Sequence, residues 1–206
     1  MLELYVSALI TFFVVIDPPG CAPIYAGLTK DASPVQRRSM AVRAVLIAGA
    51  ILIGFALFGE DLLRALHVSL DAFRIAGGVM LFLIALEMVF EKRTQRREDR
   101  AQQVIDDPEV DDVAAFPMAM PMIAGPGSIA SVMLLTSQNE GLPSALVVLG
   151  ALATILLATL VALLAAGPLM RVLGAKIEAV ITRLLGVLLA ALATQFILDG
   201  LEATVL

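Results

Sequence analysis

"VVIDPPGCAPIY", residues 14–25, decides how this chain is read. An apolar run reaches an aspartate, and two prolines and a glycine follow it directly. Proline removes a backbone donor and obstructs the preceding helical turn, while glycine permits a sharp reversal, so in a soluble protein these residues mark a surface turn. Here the flanking sequence is apolar on both sides. The stretch reads instead as a break inside a membrane span.

The rest of the chain supports that setting. It has 206 residues, of which 60% are hydrophobic and 16% charged, and a mean hydropathy of +0.94, outside the balance of soluble domains. The implied fold class is all-α integral membrane. The formal net charge is −5, and no basic run interleaved with aromatics points to nucleic acid. Cys21 is the only cysteine and His67 the only histidine, which excludes an internal disulfide and leaves no cysteine–histidine metal site, so no cofactor is implied. The start, "MLELYVSALITFFVVI", has an acid where a secretory signal carries basic residues, and no small-residue cleavage site follows it. It is expected to be retained.

A bilayer core is roughly 30 Å thick and takes about 20 apolar residues to cross as a helix. Six segments qualify: 3–28 (interrupted), 41–58, 72–90, 114–137 (interrupted), 142–166 and 177–198. Of the 14 Lys and Arg, Lys30, Arg37, Arg38 and Arg43 follow the first span, Lys92, Arg93, Arg96, Arg97 and Arg100 the third, and Arg171, Lys176 and Arg183 the fifth. Only Arg64 and Arg74 fall on the other side. The positive-inside rule makes the three rich segments cytoplasmic and places both termini outside. The charge run "EKRTQRREDRAQQVIDDPEVDD", residues 91–112, is the one long polar stretch. It is expected to be a flexible, solvated cytoplasmic linker over 91–113.

The break in the first span has a counterpart in "AMPMIAGPGSIAS", residues 119–131. One constant shift along the chain superposes Pro19 on Pro126, Gly20 on Gly127, Arg64 on Arg171, Leu66 on Leu173, Asp71 on Glu178 and Ala72 on Ala179. A gap of two then aligns Arg74 with Arg183 and Gly77 with Gly186. Each repeat holds three spans, an odd number, so the halves 1–90 and 114–206 are expected to cross the membrane in opposite senses within a single domain, as in many secondary transporters.

At about 1.5 Å per residue, residues 3–16 and 114–124 reach near or past the midplane from opposite faces. Irregular backbone at that depth is tolerated only where protein buries it or it lines a watery cavity, so both breaks are expected to face inward, each dividing its span into two half-helices. New half-helices begin at Gly20 and Gly127, and their free N–H groups offer an anion site able to hold a carboxylate. Ser128 is placed to cap or to add a hydroxyl donor. Asp17 supplies the opposite sign and suits an ammonium group; a charge at that depth is costly to desolvate, which makes Asp17 the candidate for proton coupling. A structural N-cap is the competing role for Asp17. The expected substrate-binding set is Asp17, Pro19, Gly20, Cys21, Gly125, Pro126, Gly127 and Ser128.

Other polar residues carry structural expectations. Glu87 is placed to meet the basic linker, Arg74 and Arg183 to anchor at interfaces, and Thr194 and Gln195 to bond between helices.

In these residues the chain resembles the MarC family of six-span bacterial inner-membrane proteins. The family's motifs in the first and fourth spans read here "DPPGCAP" and "AGPGS", and the likeness extends through "LDAFRIAGGVMLFLIALEM" (70–88) and "QFILDG" (195–200). Cys21 stands where the family pattern usually has Asn, and Pro19 where it usually has an aliphatic residue. The resemblance implies a small-molecule transporter, some relatives being regarded as proton-linked carriers of small neutral amino acids.

The expected function is therefore secondary transport of a small zwitterion such as glycine or alanine, with the lipid bilayer and a small-molecule substrate as partners and a homo-oligomer compatible with the sequence. An efflux carrier of other small metabolites or drugs is the alternative within transport. A scaffold for partner helices has no specific sequence support. An intramembrane enzyme is disfavoured: no nucleophile elbow or zinc motif is present, and Asp199 at the outer end of its span is poorly placed to pair with Asp17.

Overall fold

The computed structural model describes residues 1–105, 112–139 and 141–205, apart from the side chains of residues 104, 168–178 and 205. Linker residues 106–111, and the side chains of Arg171, Leu173, Lys176 and Glu178, thus lie outside the described residues. Everything regular among the described residues is helical. α1 (Leu2–Ile16) and α2 (Pro18–Leu28) make the first span, followed by α3 (Pro34–Ala65), α4 (Leu70–Val89) and α5 (Lys92–Ile105). An irregular segment, Ala114–Ile123, precedes α6 (Pro126–Ser137), α7 (Leu142–Leu164) and α8 (Ala166–Val205). Among the described residues five stretches are long and apolar enough to cross a membrane, and the bent pair Ala114–Ile123 with Pro126–Ser137, taken as one span, makes six.

Local chemistry sets the helix ends. α3 begins at Pro34, ahead of its apolar run, because Ser33 and Gln36 form a reciprocal cap: the Gln36 N–H donates to the Ser33 hydroxyl (3.3 Å) and the Ser33 N–H to the Gln36 side chain (2.9 Å). The segment expected to connect the fifth and sixth spans is instead the first part of α8. Its proline, Pro168, falls in the first helical turn, where a missing N–H breaks no intrahelical bond.

The core surrounds the first span: Phe12, Ile16, Cys21, Ala22 and Tyr25 are buried with residues from α3, α7 and the 114–123 segment. The most extensive helix pair is α4 with α8. Gly78, Gly186 and Gly200 hold it close. A Cβ on Gly78 would stand 2.8 Å from the Ala193 carbonyl oxygen, and one on Gly186 would stand 3.0 Å from that of Ala85. Gly78 is separated from Gly186 by the same sequence interval as Ala85 from Ala193, so the two contacts are reciprocal. Thr194 and Gln195 do not bond across helices: the Thr194 hydroxyl donates to the Ala190 carbonyl (2.8 Å) and Gln195 to Asp199 (2.6 Å), both within α8. At an exposed position the helix's own turn is the nearest acceptor.

Candidate functional site: two broken spans and an arginine helix

The first break is a single residue wide. Proline disfavours the α region for the residue before it, and Asp17 sits at φ 59°, ψ 65° in the left-handed region, which aspartate tolerates better than most side chains. It closes α1 and opens α2: its side chain accepts the Gly20 N–H at 3.1 Å. That is the structural cap weighed from the sequence, and the carboxylate has a further partner besides.

That partner comes from α5. Pro18 and Pro19 have no N–H, and the Gly20 N–H is diverted to Asp17, so the last carbonyls of α1 lose their ordinary helical donors. Arg93 donates to the Val15 carbonyl at 2.6 Å. Arg97 donates to the Ile16 carbonyl at 3.4 Å and, through its other terminal nitrogen, to Asp17 at 2.9 Å. The Cys21 thiol also points at the Ile16 carbonyl, at 3.4 Å. Asp17 is 1% exposed and Arg97 7%, so this is a buried ion pair that also supplies donors to backbone which the prolines left bare. Unpaired carbonyls at this depth would cost several kcal/mol each. Burial pushes the Arg93 guanidinium down to about 10, the charge of Arg97 acting in the same direction, so Arg93 stays protonated at neutral pH.

These contacts correct the expectation of a solvated charge run. Lys92–Ile105 is a helix packed on α2, α4 and the 114–123 segment, and Arg93, Arg97 and Ala101 recur every four residues along its inward face. That spacing was the available signal, obscured by the density of charge around it. Glu87 meets the basic run as expected, pairing with Arg96 at 2.7 Å. Arg183 pairs with Glu91 across to the start of the same segment, and Arg74 pairs with Asp71 within α4.

The second break bends the chain by 54°. Its first half is not the expected half-helix. Phe116 and Met120 have extended backbone (φ −130°, ψ 129° and φ −130°, ψ 125°), each immediately before a proline, Pro117 and Pro121, where the α conformation is disfavoured. Gly125 is required here, because a Cβ would lie 2.5 Å from the Pro121 carbonyl oxygen. α6 starts with no side-chain cap. Ser128 faces backward, its hydroxyl donating to the Ile123 carbonyl at 2.7 Å. Cys21 to Ile16 and Ser128 to Ile123 are thus the same contact, related by the shift that carries Pro19 onto Pro126. Ser128→Ala leaves the Ile123 carbonyl bare and is expected to lower stability by about 1–3 kcal/mol; a melting temperature in detergent equal to that of the parent protein contradicts this.

The two breaks adjoin. A Cβ on Gly127 would come within 3.2 Å of Val15. Beside them lies a cavity of about 320 Å³, lined by Val15, by Gly125, Pro126, Gly127 and Ser128, and by Arg93, Arg96, Arg97 and Arg100. Of the expected binding set, the four residues of the second break line this cavity. Asp17, Gly20 and Cys21 are buried behind Arg97, and Pro19 is half-buried. Four guanidinium groups are balanced there by the carboxylates of Asp17 and Glu87, so the cavity is cationic and its uncapped helix start adds to that sign. Asp17 and Asp199, the pair an enzyme reading needs, hold different partners, Arg97 and Gln195.

Apolar helices of spanning length, two of them interrupted and adjoining at a polar hollow, define a multi-pass integral membrane protein. The chain belongs to the MarC family: the profile of MarC family integral membrane proteins matches residues 2–205. Relatives include a UPF0056 membrane protein of Methanocaldococcus jannaschii, 35% identical over 100% of this chain and 99% of the relative. Another, from Archaeoglobus fulgidus, is 33% identical over 97% and 93%. The UPF0056 inner membrane protein YhgN of Escherichia coli K12 is 33% identical over 96% and 95%. No solved structure matches the chain.

Proposed function

We propose that this chain is a secondary transporter of small neutral amino acids, glycine- or alanine-like, in a bacterial inner membrane with both termini outside. The observation that carries the reading is the uncapped start of α6, whose Gly127 and Ser128 open onto the cavity between the two breaks. Free N–H groups at a helix start form a carboxylate site. A volume of about 320 Å³ lies at the small end of the ~300–1,000 Å³ range of ligand pockets. The paired contacts of Cys21 with Ile16 and of Ser128 with Ile123 support two inverted repeats, 1–90 and 114–206, that rock about this centre.

Asp17 receives the substrate's ammonium group or a proton, and its pairing with Arg97 makes the structure a closed state. The cationic face of α5 covers the first break from the cytoplasmic side, and Arg97 occupies the position of the ammonium. Opening requires α5 to withdraw and the substrate to take over its charge contacts. Uptake of labelled glycine and alanine into proteoliposomes, with and without a pH gradient, tests the proposal. Asp17→Asn is expected to lower uptake about tenfold or more, the worth of a charged hydrogen bond. Absence of uptake by the parent protein overturns the substrate class; undiminished uptake by Asp17→Asn overturns the role of Asp17.

A further inference from the structure

The α5 end of the cavity has a chemistry that amino-acid transport does not use. Arg96 and Arg100 are one helical turn apart on the face of α5 that lines it. Arg96 shares its charge with Glu87, and Arg100 has no ion-pair or hydrogen-bond partner among the described residues. The opposite wall is apolar and belongs to a spanning helix: Met80 and Leu83 of α4 line the cavity and are 39% and 55% exposed on the helix's outer surface. Met122 continues the apolar wall on the other side. The cavity is thus bounded by exposed apolar side chains of a helix long and apolar enough to cross a membrane, with two guanidinium groups at its polar end.

We infer that Arg96 and Arg100 form a binding site for a phosphate ester, delivered by the headgroup of an anionic phospholipid whose chain lies along Met80, Leu83 and Met122. The fork of a guanidinium matches phosphate oxygens in pairs, which favours phosphate over a simple point charge. The apolar wall explains the lipid source: a soluble phosphate ester uses the arginines and leaves that wall uncovered. Glu87 limits affinity, because its carboxylate competes with the phosphate for Arg96. The site shares its cavity with the α6 start but rests on different groups, and stands whether or not amino acids are carried.

The full chain in neutral detergent is titrated calorimetrically with short-chain phosphatidylglycerol, short-chain phosphatidylcholine, and glycerol 3-phosphate. Phosphatidylglycerol is expected to bind, phosphatidylcholine much more weakly because its choline cation meets the cavity's four arginines, and the double variant R96Q/R100Q to lose about twenty-five-fold in affinity, from roughly a fivefold factor per arginine near a charged lipid surface. Glu87→Gln is expected to bind phosphatidylglycerol more tightly than the parent protein, a gain that a purely structural role for these residues does not produce. Binding of glycerol 3-phosphate as tight as that of phosphatidylglycerol keeps the phosphate site and assigns it a soluble ligand. Equal binding of the two lipids, or an R96Q/R100Q variant that retains helical content and full affinity, overturns the site.

Discussion

Replacing Arg97 with glutamine is expected to cost the folded protein about 3–5 kcal/mol, the range for removing one member of a buried ion pair and leaving the other charged and alone. The pair is buried on both sides, Asp17 at 1% and Arg97 at 7% exposure, and the same side chain also reaches the Ile16 carbonyl. Asp17→Asn removes the stranded charge, so the double variant Asp17→Asn/Arg97→Gln is expected to be less destabilised than the sum of the single changes. Their coupling should fall within about 0.5–3 kcal/mol, the span found for residues in contact. Unfolding in mixed micelles, followed by far-ultraviolet circular dichroism, gives all four corners of the cycle. Strictly additive losses would mean that the two side chains do not hold one another.

The second large effect belongs to the other break. In Gly125→Ala the new methyl group would stand 2.5 Å from the Pro121 carbonyl oxygen, well inside contact distance. The obstacle is backbone, held by two prolines and by the Ala124 N–H bonded to Ala119 at 2.8 Å, so it cannot swing aside as a side-chain tip can. A loss of about 1–3 kcal/mol or more is expected from such overpacking, together with a displaced α6 start and a changed cavity. Gly54→Ala in α3 and Gly150→Ala in α7 are the controls: a Cβ at either position meets nothing within 4 Å. They are expected to leave stability unchanged or slightly raised, since alanine suits a helix interior better than glycine. A Gly125→Ala melting temperature no lower than those of the controls removes the steric account of the second break.

What the sequence makes legible follows from which signals are local. The prolines and glycines at 18–20 and 125–127 act through their own backbone, so both break positions can be read directly, as can the number of spans from apolar length. Pro117 and Pro121 carry the same kind of signal. They sit inside an apolar run whose hydropathy says only that it spans, so the irregular first half of the fourth span stays hidden behind its length. The role of α5 is not local at all. Arg97 lies far from Asp17 along the chain, and nothing in a charge run states which of its members will be desolvated. The only pointer is physical: an aspartate at bilayer depth and carbonyls stripped of donors by two prolines require a cation from somewhere, and the one dense source of arginines directly follows the third span. Ser128 is legible as a polar residue at a helix start, but its direction is not, because a hydroxyl there can turn forward to the free N–H groups or backward to the last carbonyl of the preceding segment.

Cys21 offers the most direct measurement of whether α5 closes the first break. Its thiol is fully buried, bonded to the Ile16 carbonyl beneath Arg97, and it is the chain's only cysteine, so a membrane-impermeant maleimide reports on this one place. Applied to the cytoplasmic face of inside-out vesicles, the reagent should label the parent protein slowly and an Arg93→Gln/Arg97→Gln variant many times faster, with no such gain when it is applied from the opposite face. Labelling of the parent protein as rapid as that of the variant would contradict the closure, and with it the cationic helix as the element that controls access to the two breaks.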